Sequence, residues 1–297
     1  MRLARVGPRG EERPAVVIDD GTAVDVSAQV SDFDAQFFAR GGLGELAGIL
    51  GRDDLPRLDL AGIRVGPPIA RPFKIVGIGL NYEDHARESG KEIPTEPVVF
   101  MKASNSLSGP YDDILLPPNA GKVDWEVELG VVVCTEARYL ADEASAGEAI
   151  AGYCVAHDVS ERSWQLERGG QWVKGKSAET FCPVGPWLVT PDEIPDIGNL
   201  GLRLSVNGVV RQSGHTSKLI FSPQHIVWYL SQMMVLEPGD LILTGTPPVS
   251  VWPSGAFSRR VTWWSSPSRV SVRSEPDADP PTVVSGSPRK GPMRRRS

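Results

Sequence analysis

The sequence of 297 residues is 40% hydrophobic and 23% charged, which provides apolar material for a sizeable core and excludes a chain that is disordered throughout. Its formal net charge of −6 argues against a nucleic-acid partner, because an acidic chain has no general attraction to phosphate backbones. The three widely spaced cysteines, the lack of a long apolar run and the polar N-terminal segment lead us to expect a cytoplasmic protein without membrane contact.

The first 70 residues predict a small N-terminal domain. Asp20-Gly21 is typical of a hairpin turn between two short strands. The elements predicted in order are strands at 2–6, 15–18 and 24–26, followed by helices near 32–39 and 43–50. The segment 66–72 is rich in proline, so we place a domain boundary there.

Residues 71–252 predict a second domain in which strands outnumber helices. Asn207-Gly208 indicates another hairpin, and Ser222-Pro223 is a typical helix start. Strands are predicted at 73–79, 126–133, 152–157, 202–206, 209–212 and 241–244, and helices at 81–89 (capped by Asn81), 142–151, 160–167 and 222–234. The pattern favours an α+β fold with a dominant antiparallel sheet.

The composition changes near Pro253. From there on, nine basic and three acidic residues give the segment a charge of +6, which leaves −12 for residues 1–252. The segment is rich in Ser, Pro and Arg and has no sustained periodicity, so 253–297 predicts a disordered basic tail. The alternative is a tail that binds a membrane surface or an acidic partner.

Three acids alternate with apolar residues near the middle of the chain. In a strand, Asp124, Glu126 and Glu128 share one face, and the apolar residues between them share the other. Adjacent carboxylates in a partly buried site repel one another, and Mg²⁺, Ca²⁺ or Mn²⁺ would relieve that repulsion through hard oxygen ligands. The alternative is a solvated strand face.

Asp158 is the candidate for a further oxygen ligand. It follows an apolar predicted strand and precedes a predicted helix at 160–167. Ligands often collect at strand ends in enzymes built on sheets. The alternative is that Asp158 or Ser160 caps that helix.

His85 and Glu88 are three residues apart on a short predicted helix, so they lie on one face of it. A carboxylate beside an imidazole orients the ring and makes it basic enough to take a proton from water. The preceding strand contains Gly77 and Gly79, where the backbone can approach a ligand closely. The alternative for the pair is a surface ion pair.

Taken together, these segments resemble the fumarylacetoacetate hydrolase family. The resemblance spans about 74–248 and is nearest to the branch of 2,4-diketo-3-deoxy-L-fuconate and acylpyruvate hydrolases. The segments that carry it are, in order, Gly79-Leu80-Asn81-Tyr82 with His85 and Glu88, then 97–102, 124–130, 152–153, 158–165, 176–187, Asn207-Gly208, 237–240 and Thr244-Gly245-Thr246-Pro247.

The resemblance implies a metal site and a base. The metal ligands would be Glu126, Glu128 and Asp158, with Mg²⁺ the first expectation and Ca²⁺ or Mn²⁺ the alternatives. His85 and Glu88 would form the catalytic base pair.

The resemblance also implies residues that contact the substrate. Lys176 would contact the substrate and its developing enolate, Arg162 and Gln165 would hold the oxo-acid end, and Thr246 would line the pocket. The family fold would be a mixed β-roll or barrel-like catalytic domain, usually in a homodimer.

The implied activity is hydrolysis of a carbon–carbon bond in a 2,4-dioxo acid, an acylpyruvate, to release pyruvate. The alternatives are an isomerase, tautomerase or decarboxylase of a related 2-oxo acid on the same scaffold, or a non-catalytic remnant.

The chain departs from the family pattern after Pro248. Family members continue with a Gly-Val-Gly segment and further strands, whereas this chain continues into the basic tail. We therefore expect a catalytic domain that is incomplete at its C-terminus, and we hypothesise that the tail is read in a shifted frame. His157 is a smaller departure, since family members often have Asn there.

Overall fold

The computed structural model describes residues 1–52, 54–88 and 90–248. The predicted tail, the last residues of the predicted catalytic domain and the hypothesis of a shifted frame all concern the chain beyond Pro248. They therefore lie outside the described residues.

The described residues form a strand-rich α+β structure, which confirms the predicted fold class. The strands are β1 (Arg2–Val6), β2 (Arg13–Asp19), β3 (Thr22–Asp25), β4 (Arg57–Asp59), β5 (Ile75–Gly79), β6 (Val98–Lys102), β7 (Leu107–Ser108), β8 (Val123–Asp124), β9 (Val127–Val133), β10 (Ile150–His157), β11 (Ser160–Glu161), β12 (Cys182–Val189), β13 (Gly201–Val206), β14 (Val209–His215) and β15 (Leu241–Leu243). The helices are α1 (Ala35–Ala39), α2 (Gly42–Ile49), α3 (Glu83–Glu88), α4 (Glu143–Glu148), α5 (Arg162–Leu166), α6 (Val173–Lys176) and α7 (Pro223–Ser231). Single 3₁₀ turns occur at Ser104–Ser106, Pro191–Glu193 and Thr216–Lys218.

One large sheet runs through most of the molecule. Its strand order is β4-β3-β2-β1-β12-β10-β9-β15-β5-β6, with β7 paired to β12 off this path. The pairs are antiparallel except for β15 with β5 and β7 with β12. The N-terminal strands join the others because β1 pairs with β12 in the register Leu3↔Leu188. The domain boundary predicted at 66–72 stays a prediction, and strands from both sides of it share this sheet.

Strand β9 lies in the middle of the sheet and is buried along its whole length. Val127, Leu129 and their odd-numbered neighbours pack into a core that includes Ile226 and Leu230 of α7. Val132, on the opposite face, packs with residues of the N-terminal strands. Full burial of such side chains contributes about 1.5–3 kcal/mol each, so the register of β9 is strongly determined. The face of Glu128, its one acid, is determined with it.

The turn between β5 and α3 differs from the prediction at Asn81. Its side chain does not cap α3 but donates to the carbonyl oxygens of Phe221 and Thr244, at 3.0 and 2.8 Å, and accepts from the Phe221 amide at 2.8 Å. Leu80 beside it has a φ of 56°, which is uncommon for a residue with a side chain. These bonds hold the start of α3 against the end of β15.

Helix α7 begins as predicted. The hydroxyl of Ser222 accepts a hydrogen bond from the His225 amide at 3.0 Å, and Pro223 occupies the first turn. The Asn207-Gly208 turn also has the predicted form, since its two residues have φ values of 53° and 77°. None of the helices in the described part is long and apolar enough to cross a membrane.

Candidate active site

A cavity of about 360 Å³ opens where β9 begins, and residues from β5, α3, β6, α5 and α6 line its walls. Its lining includes Glu126 and Glu128 together with His85 and Glu88. The structure thus brings the predicted acids of β9 and the predicted histidine pair into one cavity, although they are distant in sequence.

Three buried carboxylates form the acid cluster, which we define as Glu126, Glu128 and Asp158. One oxygen from each lies within 4.8 Å of the others. The amide of Asp158, just after β10, donates to the Glu126 carbonyl oxygen at 2.9 Å, which fixes the two segments together. Three hard oxygen donors converging on one point are suited to Mg²⁺, Ca²⁺ or Mn²⁺.

Two buried lysines contact the acid cluster. The ammonium of Lys176 donates to Glu126 at 2.7 Å and also to Asp158. Lys102, at the end of β6, donates to the other Asp158 oxygen at 2.6 Å and to the Val159 carbonyl oxygen at 3.2 Å. Burial alone would lower the pKa of Lys176, but Asp158 and Glu126 raise it above its ordinary value. Both oxygens of Asp158 therefore have a cationic partner.

Glu126 and Glu128 have opposite electrostatic environments. Burial alone would raise the pKa of Glu126, but the charges of Arg162 and Lys176 outweigh it and lower that pKa below its ordinary value. Burial raises the pKa of Glu128, and Asp158 and Glu126 raise it further. Glu128 accepts a hydrogen bond from the Gly245 amide at 2.6 Å, and the described residues include no lysine or arginine paired with it within 4.0 Å. A divalent cation would supply the positive charge that Glu128 lacks.

Asp124 lies outside the acid cluster but shares the partner Arg162 with Glu126. Its carboxylate accepts from Nε of Arg162 at 2.9 Å, and the same guanidinium binds Glu126 and donates to the Gln165 side-chain oxygen at 2.8 Å. Burial alone would lower the pKa of Arg162, but Glu126 and Asp124 raise it. Arg162 therefore carries a fixed positive charge beside the acid cluster.

The predicted alternative in which Asp158 or Ser160 caps the following helix is wrong. Glu161 caps α5, and its carboxylate accepts from the Trp164 amide at 2.6 Å. Asp158 is instead fully buried between two lysines.

His85 and Glu88 lie one turn apart on α3. Nδ1 of the imidazole is 3.6 Å from a Glu88 oxygen, and the two side chains are 11% and 32% exposed. Because His85 is largely buried in the cavity wall, the predicted alternative of an ordinary surface ion pair does not describe it. The spacing is that of an ion pair rather than of a tight hydrogen bond.

Comparison with known proteins identifies the family. Residues 74–274 match the family described as fumarylacetoacetate (FAA) hydrolase, C-terminal. The chain belongs to the fumarylacetoacetate hydrolase family. The match continues beyond Pro248, where we expected the resemblance to end.

Relatives in this family include hydrolases and isomerases. A protein of Burkholderia ambifaria provisionally named a hydrolase is 48% identical over 262 residues, covering 86% of this chain and 91% of that protein. The maleylpyruvate hydrolase of Sphingobium sp. SYK-6, solved with manganese(II) and pyruvate, is 30% identical with a TM-score of 0.69, covering 83% and 89% of the two chains. The 5-carboxymethyl-2-hydroxymuconate delta-isomerase of Mycobacterium smegmatis is 33% identical with a TM-score of 0.66, covering 83% and 88%. This fumarylacetoacetate hydrolase family member is thus a hydrolase or an isomerase.

In this family member, Thr246 lies on the cavity wall, but its hydroxyl is already engaged. It donates to the Val127 carbonyl oxygen at 2.9 Å and accepts from Nε2 of Gln212 at 2.7 Å. Gln212 also accepts from the Val127 amide at 2.8 Å and donates to the Pro247 carbonyl oxygen at 2.8 Å. We call this arrangement the Gln212 bridge. It fixes the backbone of β9 between Glu126 and Glu128.

Two residues of the site were not predicted as such. Lys102 and Gln212 are almost fully buried. Lys102 donates a hydrogen bond to Asp158 of the acid cluster, and Gln212 accepts one from the amide of Val127, between the two glutamates. The available signal for Lys102 was a lysine closing an apolar strand, V-V-F-M-K, next to a polar loop. For Gln212, one polar residue in a hairpin strand gave no comparable signal.

His157 precedes Asp158 and is also buried. Burial lowers its pKa to about 3, which keeps the imidazole neutral near neutral pH. Its Nδ1 lies 3.3 Å from the backbone nitrogen and 3.1 Å from the carbonyl oxygen of Glu126. The neutral ring therefore contacts the backbone of Glu126.

Proposed function

We propose that this protein hydrolyses a carbon–carbon bond in a 2,4-dioxo acid, an acylpyruvate, and releases pyruvate. The observation that carries the proposal is the acid cluster, three buried carboxylates within 4.8 Å of one another, in the same cavity as His85. The manganese and pyruvate found together in the similar maleylpyruvate hydrolase support it.

The acid cluster would hold the divalent cation, and the donor set fits one. Its ligands are all carboxylate oxygens, and Glu128 is the carboxylate whose charged form is least compensated by the protein. When bound, the cation supplies a Lewis acid and a template for the C1 carboxylate and the C2 oxygen of the substrate. Mg²⁺ is the first candidate, with Ca²⁺ and Mn²⁺ as alternatives.

His85 and Glu88 would form the base. Glu88 orients the imidazole, and His85 takes a proton from the water that attacks the C4 carbonyl. The bond between C3 and C4 then breaks, its electron pair forms the enolate of pyruvate, and C4 leaves as a carboxylic acid. The proton held by His85 returns to C3 and completes pyruvate, so the net reaction consumes one water molecule.

Lys176 would stabilise the enolate as charge develops on it. Its ammonium is buried, its pKa is raised by Asp158 and Glu126, and it lies on the cavity wall. A fixed positive charge in a buried site stabilises a developing oxyanion without reorganisation of solvent. Arg162 and Gln165, already hydrogen-bonded to each other, would hold the oxo-acid end. Thr246 would line the pocket beside them.

The test is the loss of acylpyruvate absorbance, followed with and without Mg²⁺, together with an enzymatic assay for pyruvate. We expect metal-dependent loss of absorbance and one pyruvate for each substrate consumed. An isomerase or tautomerase would change the absorbance without pyruvate, a decarboxylase would release carbon dioxide, and a non-catalytic remnant would do neither. Any of these three results contradicts the proposal.

We also propose a homodimer in the cytoplasm with a small-molecule 2-oxo acid as its ligand, and no nucleic-acid or membrane partner. The proposed chemistry does not depend on the dimer, because all the site residues named above lie in one chain. Light scattering on the purified protein tests it, and a monomer mass would contradict it.

A further inference from the structure

Two aromatic rings form one wall of the cavity. The rings of Phe100 on β6 and Trp172 just before α6 have their centroids 5.4 Å apart and are tilted by 54°. Both residues line the cavity. We call this pair the aromatic wall.

The glycines of β5 make room for this wall. A Cβ atom at Gly77 would lie 2.2 Å from the Phe100 ring, and one at Gly79 would lie 2.7 Å from the Trp172 ring. Both distances are far inside van der Waals contact, so any side chain there would displace a ring. The two glycines were expected to let a ligand approach the backbone, but in the structure the rings occupy that space.

The aromatic wall begins one side chain away from the acid cluster. The ammonium of Lys176 is 2.7 Å from Glu126 on one side and 4.8 Å from the centre of the Phe100 ring on the other. The cavity therefore runs from the carboxylates past Lys176 and Phe100 to Trp172. Ile78, Leu80 and Leu166 line the same cavity.

We propose that Trp172 is a specificity-determining residue and that the acyl group of the substrate is flat and apolar, either aromatic or conjugated. The inference rests on the proposed function, in which the acid cluster holds the oxo-acid end. The group attached to C4 then points away from the carboxylates and lies along the aromatic wall. A flat apolar group gains contact area and ring–ring attraction there.

Lys91 is the feature that would favour the other class, an acyl group ending in a carboxylate. It lines the cavity, but its side chain is exposed to solvent. An ion pair with an exposed lysine contributes little, because water screens the charges and the flexible side chain loses entropy. The apolar surface of the cavity, where Phe100 is buried and Trp172 half-buried, therefore outweighs it.

The test compares three acylpyruvates with the Mg²⁺-loaded protein. Benzoylpyruvate carries an aromatic acyl group, acetylpyruvate a small one, and succinylpyruvate one that ends in a carboxylate. We expect kcat/KM to be highest for benzoylpyruvate. Trp172→Leu should lower the benzoylpyruvate to acetylpyruvate ratio about tenfold, whereas Trp172→Phe, which keeps a flat ring, should retain most of it.

Trp228→Leu is the matched control, because it removes a half-buried indole that does not line this cavity. We expect it to leave the ratio unchanged. A ratio that falls equally in the control, or a ratio that Trp172→Leu leaves unchanged, would overturn the role of Trp172. A preference for succinylpyruvate would overturn the substrate class.

Equilibrium binding separates this inference from the proposed function. Calorimetry on the Mg²⁺-loaded protein gives the dissociation constants of benzoylpyruvate and acetylpyruvate without requiring turnover. If the wild type binds benzoylpyruvate more tightly than acetylpyruvate, and Trp172→Leu abolishes that difference, the inference is supported even if no pyruvate is released. In that case only the proposed hydrolysis is refuted. Equal binding of the two compounds, or no binding of either, would refute the inference.

Discussion

The acid cluster and the pair of His85 and Glu88 line the same cavity but are constructed differently. The acid cluster joins the start of β9 to the end of β10, and lysines from β6 and α6 donate hydrogen bonds to its oxygens. Both residues of the histidine pair lie on one helix of six residues, and Nδ1 of His85 is 3.6 Å from a carboxylate oxygen of Glu88. Contacts between residues far apart in sequence determine the geometry of the cluster, whereas the two residues of the pair lie one turn apart on a short helix.

This difference indicates separate tasks for the two regions. A metal site must have its ligands in place before the cation arrives, so several contacts that fix each carboxylate are useful. A general base must adjust to the water and the substrate, and its hydrogen bonds often tighten only in the reactive complex. Substitutions that affect one region and spare the other therefore test the comparison directly.

The largest effect should come from Glu128→Gln. Turnover should fall by about four orders of magnitude, because the cation contributes several kcal/mol and a neutral amide is a poor ligand for it. In contrast, the metal-free protein should become more stable, since the variant removes a buried charge that Asp158 and Glu126 repel. Calorimetric titration with Mn²⁺ and thermal unfolding without metal measure the two effects.

Glu167→Gln is the control for that substitution, since it neutralises an acid that is 57% exposed and outside the cavity. It should change neither quantity appreciably. Retained Mn²⁺ affinity in Glu128→Gln would show that the cluster is not the metal site.

The next largest effect should come from His85→Ala. Turnover should fall by about 10²–10⁴-fold, the usual contribution of a general base, while the binding of Mn²⁺ and of pyruvate or oxalate is retained. The physical reason is that two lysines, Arg162 and the Gly245 amide donate hydrogen bonds to the acid cluster, and His85→Ala leaves them in place. Steady-state rates and calorimetric binding, measured on the same preparation, separate the two regions.

His225→Ala is the matched control, because it also breaks a histidine–glutamate pair, that of His225 with Glu143 at 3.0 Å, and neither residue lines the cavity. Unchanged turnover in His85→Ala would remove this histidine from the mechanism. Weaker metal binding in His85→Ala would contradict the separation of tasks.

The predictability of the site follows the same division. The alternation around β9 correctly predicted that Glu126 and Glu128 lie on one face, because successive side chains of a strand point to opposite faces and Val127 and Leu129 pack into the core opposite the acids. The spacing of His85 and Glu88 was likewise readable, since both lie on one helical turn. Local patterns were sufficient where the contact itself is local.

The partners of the acid cluster could not be predicted in that way. Lys102 reaches Asp158 across 56 residues of sequence, and Gln212 reaches Val127 across 85. Asn81 shows the same limit, because its side chain forms hydrogen bonds with residues more than 100 positions away instead of capping the helix as predicted. An amide or ammonium group has several possible partners of similar energy, and only the folded sheet selects among them.

A smaller effect should come from Gln212→Met, which keeps the shape of the side chain and removes the Gln212 bridge. Metal affinity should weaken by about tenfold, as is typical when a group behind the ligands is lost. Unfolding free energy should fall by about 3 kcal/mol, because removal of the bridge leaves buried polar groups unsatisfied. Gln232→Met, at an exposed amide beyond α7, is the control. Lower stability with unchanged Mn²⁺ affinity would show that the bridge supports the fold and not the cluster.

The smallest effect is a dependence of the acid cluster on pH. Burial, Asp158 and Glu126 raise the folded-state pKa of Glu128 above its unfolded value. Its contribution to stability is therefore present below the unfolded pKa and is lost as pH rises through the folded pKa. The metal binds the ionised form, so Mn²⁺ affinity should rise with pH by at most about tenfold per unit while this one proton is released.

The measurement is the shift in melting temperature caused by Mn²⁺, taken upward from the ordinary glutamate pKa of about 4.3. The shift compares metal-loaded with metal-free protein at each pH, so the titration of the unfolded-chain His157 is common to both. Wild-type protein should show a shift that grows with pH until Glu128 is fully ionised. Glu128→Gln should show little shift at any pH, because it has lost a carboxylate ligand and has no proton to release at this position. A pH-independent shift in the wild type would mean that Glu128 is already ionised without metal. The protein's own lysines would then compensate the whole cluster, and the contrast in charge between Glu126 and Glu128 would be wrong.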